Sequence, residues 1–179
     1  MSTFSDFNLD ESIVSAVDKL GFETATPIQA ATIPVLMSGG DMIGKARTGS
    51  GKTAAFGLPM IQRMLDGGNK PRGLILAPTR ELALQVTEAM RSFAKGLPVR
   101  IVAIYGGAPY PPQLKALRNG ATIVVGTPGR VIDHMERGTL DLSQIEMFVL
   151  DEADEMLRMG FIEPVEDVLS ALPEAGQIA

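Results

Sequence analysis

Ala46-Arg47-Thr48-Gly49-Ser50-Gly51-Lys52-Thr53 lies between a short apolar run, Met42-Ile43, and a stretch of helical composition. In that strand, loop and helix setting the loop's backbone N–H groups can wrap a chain of phosphates, and the positive end of the helix dipole favours their charge. Lys52 can reach the terminal phosphates, and the Thr53 hydroxyl can ligate Mg²⁺. The general phosphate-loop pattern has Gly where this chain has Ala46, so the match is incomplete at its first position. A glycine-rich turn that merely enters a helix is the alternative. Gly51-Lys52-Thr53 at the helix start weighs against it.

Working outward, four more apolar runs follow: Gly73 to Ala77, Val99 to Tyr105, Ala121 to Val125 and Met147 to Leu150. None alternates strictly with polar residues, which is the pattern of strands buried on both faces. Between them lie segments of helical period. Ile13, Val14, Val17 and Leu20 share one face and stop at Gly21, and Leu82, Val86, Met90 and Phe93 do the same further on. Strands alternating with helices through short connections predict an α/β fold with a doubly wound, mainly parallel sheet flanked by helices. In such sheets ligands bind at the carboxyl ends of the strands. Asp66 to Pro71 reads as a loop, and Glu163 to Leu172 as a terminal amphipathic helix.

The chain has 179 residues, 16 Lys plus Arg, 21 Asp plus Glu and a formal net charge of -5. That length suffices for one self-supporting core. The absence of Cys excludes disulfide frameworks, thiolate metal sites and Cys nucleophiles. No segment reads as a membrane span or a signal peptide, so a cytoplasmic protein with no membrane partner is the expectation. Taken whole, -5 argues against a polyanionic partner. The charge is unevenly spread, however: residues 1–30 are net -4, residues 151–179 net -7, and residues 31–150 net +6. A basic middle segment of this kind suits phosphates.

Met147-Phe148-Val149-Leu150 runs directly into Asp151-Glu152-Ala153-Asp154. Two carboxylates at a strand tip can complete a phosphate site, Asp151 holding Mg²⁺ and Glu152 orienting the attacking water and accepting its proton. An acidic helix start has the same composition. The phosphate loop one hundred residues upstream favours the catalytic reading.

With these residues in view the chain resembles the DEAD-box ATP-dependent RNA helicases, specifically their amino-terminal RecA-like domain. Asp151-Glu152-Ala153-Asp154 spells the family's motif. Pro78-Thr79-Arg80-Glu81-Leu82 is similar to motif Ia, Gly106-Gly107 to the GG motif, Thr127-Pro128-Gly129-Arg130 to motif Ib, and Ala46 to Thr53 to motif I, where the family accepts Ala at the first position. Gly21-Phe22 through Pro27-Ile28-Gln29 resembles the Q motif, with Phe4 at the place of the family's isolated aromatic; the Q-motif segment spans about residues 4–29. The resemblance implies a single RecA-like domain over residues 1–179, ATP or ADP with Mg²⁺ as cofactors, and single-stranded RNA as partner. It implies Lys52, Asp151 and Glu152 in catalysis, Thr53 and Asp151 at the metal, and Asp154 in coupling between domains. Phe4, Phe22 and Gln29, with Ala46, Arg47, Thr48, Gly49, Ser50, Gly51, Lys52 and Thr53, would bind the nucleotide. Pro78, Thr79, Arg80, Gly106, Gly107, Thr127, Pro128, Gly129 and Arg130 would bind RNA.

Several of these positions carry a second physical reading. Gln29 can bond N6 and N7 of adenine, yet Thr26-Pro27-Ile28-Gln29 also forms a capping box; the resemblance favours adenine. Thr79 and Thr127 suit both helix capping and phosphate contact. Phe22 suits packing as well as stacking, and the sole histidine, His134, reads as structural. The family's second RecA-like domain and its Ser-Ala-Thr motif are not found in the 179 residues. The resemblance therefore implies an amino-terminal part of a longer helicase, a monomer that binds nucleotide, hydrolyses it slowly and does not unwind RNA alone. A DNA translocase would share the phosphate loop and acidic pair but give no reason for Gln29 or Thr127-Pro128-Gly129-Arg130. A nucleotide-gated RNA clamp is the non-enzymatic alternative.

Overall fold

A computed structural model of the chain describes residues 3–41, 51–173 and 177–178. The expected strand at Met42-Ile43 and the loop residues Ala46 to Ser50 lie outside the described residues. The helices are α1 (Glu11–Lys19), α2 (Pro27–Met37), α3 (Lys52–Arg63), α4 (Arg80–Phe93), α5 (Tyr110–Arg118), α6 (Pro128–Glu136), α7 (Ala153–Arg158) and α8 (Ile162–Ser170). The strands are β1 (Gly73–Leu76), β2 (Ile101–Ile104), β3 (Ile123–Gly126), β4 (Met147–Leu150) and β5 (Gln177–Ile178), and a short 3-10 helix, Phe4–Phe7, precedes α1. Among the described residues no helix is long and apolar enough to cross a membrane.

The strands form one parallel sheet in the order β2-β3-β1-β4-β5. Successive side chains of a strand point to opposite faces, and both faces are apolar. Ile75, Ile101, Ile123, Val125, Met147 and Val149 join a core with Ile61 of α3 and Met90 of α4. Leu74, Leu76, Val102, Ile104, Val124 and Phe148 join a second core with Val131 of α6 and Val168 of α8. Helices cover both faces, which is why the strands carry no polar alternation. On the outer strand β2, the Arg91 guanidinium from α4 donates to the Ile101 carbonyl at 3.0 and 3.2 Å, satisfying an edge acceptor. Helix α1 ends at Lys19, and Leu20, expected on its apolar face, is the C-cap residue and 45% exposed.

Register matters more to the site than layering does. Leu76 pairs with Gly126 and with Leu150, and Ile104 pairs with Gly126, so β1 to β4 end level. The ladder runs one step further, through Ala77 N–H to Gly126 O at 2.9 Å, Thr127 N–H to Ile104 O at 3.1 Å and Asp151 N–H to Leu76 O at 2.9 Å. The turns that follow β1, β2, β3 and β4 therefore leave the sheet at one edge.

The opposite edge is held by Arg72, just before β1. Its guanidinium bonds the Glu146 and Asp66 carboxylates and donates to Gly67 O at 2.8 Å. Glu146 first, then Asp66, hold the Arg72 proton more firmly than usual against partial burial. The loop read as Asp66 to Pro71 is thus tied to the start of β4. We expect Arg72→Met to lower stability by about 2 kcal/mol, as loss of charged hydrogen bonds does, seen as a fall of about 4–8 °C in the melting midpoint. Asp66→Ala, removing a solvent-exposed partner, should have a smaller effect.

Candidate nucleotide and nucleic-acid edge

Gly51 caps α3 at φ 85°, a left-handed conformation that suits glycine. A Cβ there would strike the Gln29 amide, so the residue is required on two counts. Gln29 is buried, its Oε1 accepting from Thr26 N–H at 2.9 Å and its Nε2 donating to Gly51 O at 3.1 Å. The Thr26 hydroxyl accepts from Gln29 N–H at 3.4 Å, completing a capping box at the start of α2. The capping reading is therefore realised, and the same amide ties α2 to the entrance of α3. Each end of the amide keeps a further hydrogen-bonding site, the oxygen a second lone pair and the nitrogen a second N–H.

An antiparallel bridge between Thr3 and Thr24 clips the Phe4–Phe7 helix to the segment leading into Gln29. Phe4 is buried at 2% exposure, tilted against Phe22 at 6.2 Å and edge-on to Phe7 at 6.1 Å. Phe22 is 37% exposed and also meets Phe93, so Phe22 presents the more accessible ring.

Lys52, the first residue of α3, reaches across to the end of β4. Its Nζ lies 2.9 Å from Asp151 Oδ1 and 2.5 Å from Glu152 Oε1. Burial works to lower the lysine pKa, but the two carboxylates outweigh it and hold the ammonium charged. Burial pushes the Asp151 carboxyl up, with Lys52 opposing. Glu152 has φ 56° and ψ 48°. A left-handed non-glycine residue costs roughly 1–2 kcal/mol, and here that backbone turns the Glu152 carboxylate back to Lys52. Among the described residues no three His, Cys, Asp or Glu side chains form a metal cluster. The donor set nevertheless fits Mg²⁺, which takes one or two protein oxygens and fills its octahedron with water and phosphate; Asp151 and the Thr53 hydroxyl are the groups that would hold it. Asp154 lies in the first turn of α7.

On the other side of β1, three turns form a second group. Pro78 is buried, Thr79 caps α4 by accepting from Leu82 N–H at 3.2 Å, and Arg80 is exposed with its guanidinium 5.0 Å from the Tyr105 ring. Gly106, Gly107 and Gly129 are exposed. Thr127, also suited to capping, does not cap α6 with its side chain; its hydroxyl accepts from Gly106 N–H at 3.3 Å and joins the turns after β2 and β3. Pro128 is buried at the first position of α6. Arg130 donates to Ala108 O at 3.1 Å and Gln113 Oε1 at 3.2 Å, with its charge over the Tyr110 ring at 4.5 Å. That inward commitment, and the part played by Gln113, were not legible in the sequence. No motif marks a glutamine of α5 whose meaning comes from elements on both sides.

His134, fully buried, is structural as read. Burial, then Arg130 and Arg137, lower its pKa, and Asp133 only partly opposes them. The ring is neutral, with Nε2 facing Gln113 Oε1 at 3.2 Å and Nδ1 facing the Thr139 hydroxyl at 2.8 Å.

A family model described as DEAD/DEAH box helicase matches residues 26–179. The chain is 56% identical over 99% of its length to the ATP-dependent RNA helicase DeaD of Escherichia coli K12, covering 28% of that protein. It is 52% identical to the ATP-dependent RNA helicase CshA of Listeria monocytogenes, covering 34% of it. A solved DEAD box protein from the hyperthermophile Methanococcus jannaschii superposes with a TM-score of 0.94 at 46% identity, over 99% of this chain and 49% of that one. A hypothetical ATP-dependent RNA helicase from Sulfolobus tokodaii gives 0.87 at 37% identity, over 95% and 49%. The chain thus spans roughly a third or less of these curated relatives.

Because the folded state raises the Asp151 pKa, its ionisation opposes folding. The contribution of Asp151 to stability should therefore fall as pH rises from about 4, the unfolded carboxylate value. Asp151→Asn, neutral throughout, should melt above wild type at pH 7, with the gap closing as pH falls below about 4. Thermal melts across that range check the sign.

Proposed function

The chain belongs to the DEAD/DEAH box helicase family, and from that premise we propose that it is an ATP- and RNA-binding domain of an ATP-dependent RNA helicase. The observation that carries this reading is the shared edge. Lys52 meets Asp151 and Glu152 on one side of β1, and the turns bearing Arg80, Gly106, Gly107 and Gly129 emerge level with them on the other.

In this reading Lys52 leaves its carboxylates for the terminal phosphates of ATP, exchanging one pair of anionic partners for another. Thr53 and Asp151 would hold Mg²⁺, which would supply charge neutralisation to the phosphates. Glu152, released from Lys52, orients a water and takes its proton as the new P–O bond forms and the bond to ADP breaks. Gln29 reads the adenine edge, Phe22 offers a ring face with Phe4 behind it, and the loop residues Ala46 to Gly51 enclose the phosphates.

RNA is held through its sugar-phosphate backbone by Pro78, Thr79 and Arg80, by Gly106 and Gly107, and by Thr127 to Arg130. Free N–H groups at helix starts and an exposed guanidinium suit phosphates without reading bases. In the whole protein a second RecA-like domain, coupled through Asp154, closes on ATP and RNA so that a short duplex is locally disrupted. The domain works as a monomer in the cytoplasm.

Turnover is the first test. In the full-length protein Glu152→Gln should lower RNA-stimulated ATP hydrolysis by about a hundredfold or more while leaving ATP affinity nearly unchanged, the pattern of a lost general base; near-normal turnover would remove Glu152 from that role. Gln29→Ala should weaken ATP more than GTP, since a paired amide contact discriminates by about 1–3 kcal/mol. Equal losses for both nucleotides would leave Gln29 as a helix cap alone.

A further inference from the structure

We propose that Gln113 is a positioning residue for RNA binding: it fixes the turn after β2 against the turn after β3 without touching the strand they receive. The proposal rests on the reading of those turns as RNA contacts. Gln113 is 6% exposed and lies in the first turns of α5. Its Nε2 donates to the Tyr105 carbonyl at 3.0 Å, at the exit of β2. Its Oε1 accepts from Arg130 at 3.2 Å and from His134 Nε2 at 3.2 Å, both on α6. The Tyr105 acceptor fixes which end of the amide carries the nitrogen, so the oxygen is turned to α6 without ambiguity.

Other contacts make this amide the centre of a closed node. Arg130 also bonds Ala108 O at 3.1 Å, so one guanidinium spans the 105–109 turn and α5. The Tyr110 ring lies against His134 at 4.6 Å and beneath the guanidinium groups of Arg130 at 4.5 Å and Arg137 at 4.0 Å. The Thr139 hydroxyl holds the other nitrogen of His134 at 2.8 Å. In front of the node, the turns are tied by Gly106 N–H to the Thr127 hydroxyl at 3.3 Å, a long bond at an exposed position, and by Thr127 N–H to Ile104 O at 3.1 Å. Gln113 braces the relative placement of Gly106, Gly107 and Gly129 from behind, through the Tyr105 carbonyl on one side and Arg130 and His134 on the other. Arg130, with its hydrogen bonds directed inward, braces this node, and Arg80 is the more exposed guanidinium for phosphate.

The consequence is a separation that a salt titration can read. Binding of a single strand weakens with salt by a slope of about 0.7 per phosphate neutralised. Losing a phosphate ligand lowers that slope, whereas losing a positioning residue lowers affinity at constant slope. The experiment measures fluorescence anisotropy of a labelled single-stranded RNA oligonucleotide with the chain at several salt concentrations, together with Mg·ADP affinity and the melting midpoint. Gln113→Met, similar in volume and without hydrogen-bonding capacity, should bind RNA about tenfold more weakly, the low end of what loss of an orienting partner costs. Its salt slope should match wild type, and Mg·ADP affinity should stay within about twofold, because no bond of Gln113 reaches Lys52, Asp151 or Glu152.

Arg80→Ala is the companion variant and should lower the slope by about 0.7. Unchanged RNA affinity in Gln113→Met alongside the Arg80→Ala loss overturns the proposal and leaves the RNA reading standing. Parallel losses of RNA and Mg·ADP affinity with a lower melting midpoint also overturn it, since they mark a general folding role. Intact RNA binding and slope in Arg80→Ala overturn the RNA reading, and the proposal with it. Should Gln113→Met not fold, the same quantities for Gln113→Glu decide in the same way. That variant keeps an acceptor for Arg130 and His134 and forfeits the Tyr105 tether.

Discussion

The level carboxyl edge of the parallel sheet is the constraint on which the rest depends. A parallel pair is set by its ladder, and a slip of one residue would turn each inward side chain outward. Because both faces of β1 to β4 are apolar and packed under helices, such a slip would exchange the side chains of one core for those of the other and mismatch both packings. The register that satisfies the two cores is therefore the register that brings Ala77, Tyr105, Thr127 and Asp151 out of the sheet at the same height. The site geometry follows from hydrophobic packing that has no chemical role of its own. Arg72, at the other end of β1, strengthens that register from a place where no ligand is proposed to bind.

Strand order then separates two tasks. β1 lies between β3 and β4, and the turns proposed for RNA follow β1, β3 and β2 while the acidic pair follows β4. The overall charge of -5 is silent on this arrangement. Much of the acidic character belongs to the carboxyl-terminal segment, where two carboxylates are already matched by Lys52. Net charge is a sum over a surface, and recognition depends on which charges face one edge.

The α/β class, the four strands and the turns that follow them were legible in the sequence because each rests on a local signal: an apolar run, a helix start, a glycine, a carboxylate pair. What was not legible depends on pairings between distant elements. Thr127 has the local credentials of a cap, but the neighbouring turn offers its hydroxyl a better-placed donor in Gly106. Arg130 reads as a free cation until Ala108, Gln113 and Tyr110 surround it. Gln29 was readable as part of a cap, and only the structure adds that the same amide donates to the Gly51 carbonyl at the entrance of α3. Leu20 satisfies the helical period yet falls after the last turn of α1, where periodicity no longer predicts burial.

The left-handed backbone at Glu152 has a consequence for mutational drift. A φ of 56° is more comfortable for Gly, Asn or Asp than for Glu. Replacements there divide into those that ease the backbone and those that keep a carboxylate of the same reach, and the two sets scarcely overlap. Gly and Asn relax the turn but abandon the acid, Asp keeps an acid that is one methylene short, and Gln keeps both the length and the strain. An unstrained backbone alone would favour another residue at this position, and it is the carboxylate that meets Lys52.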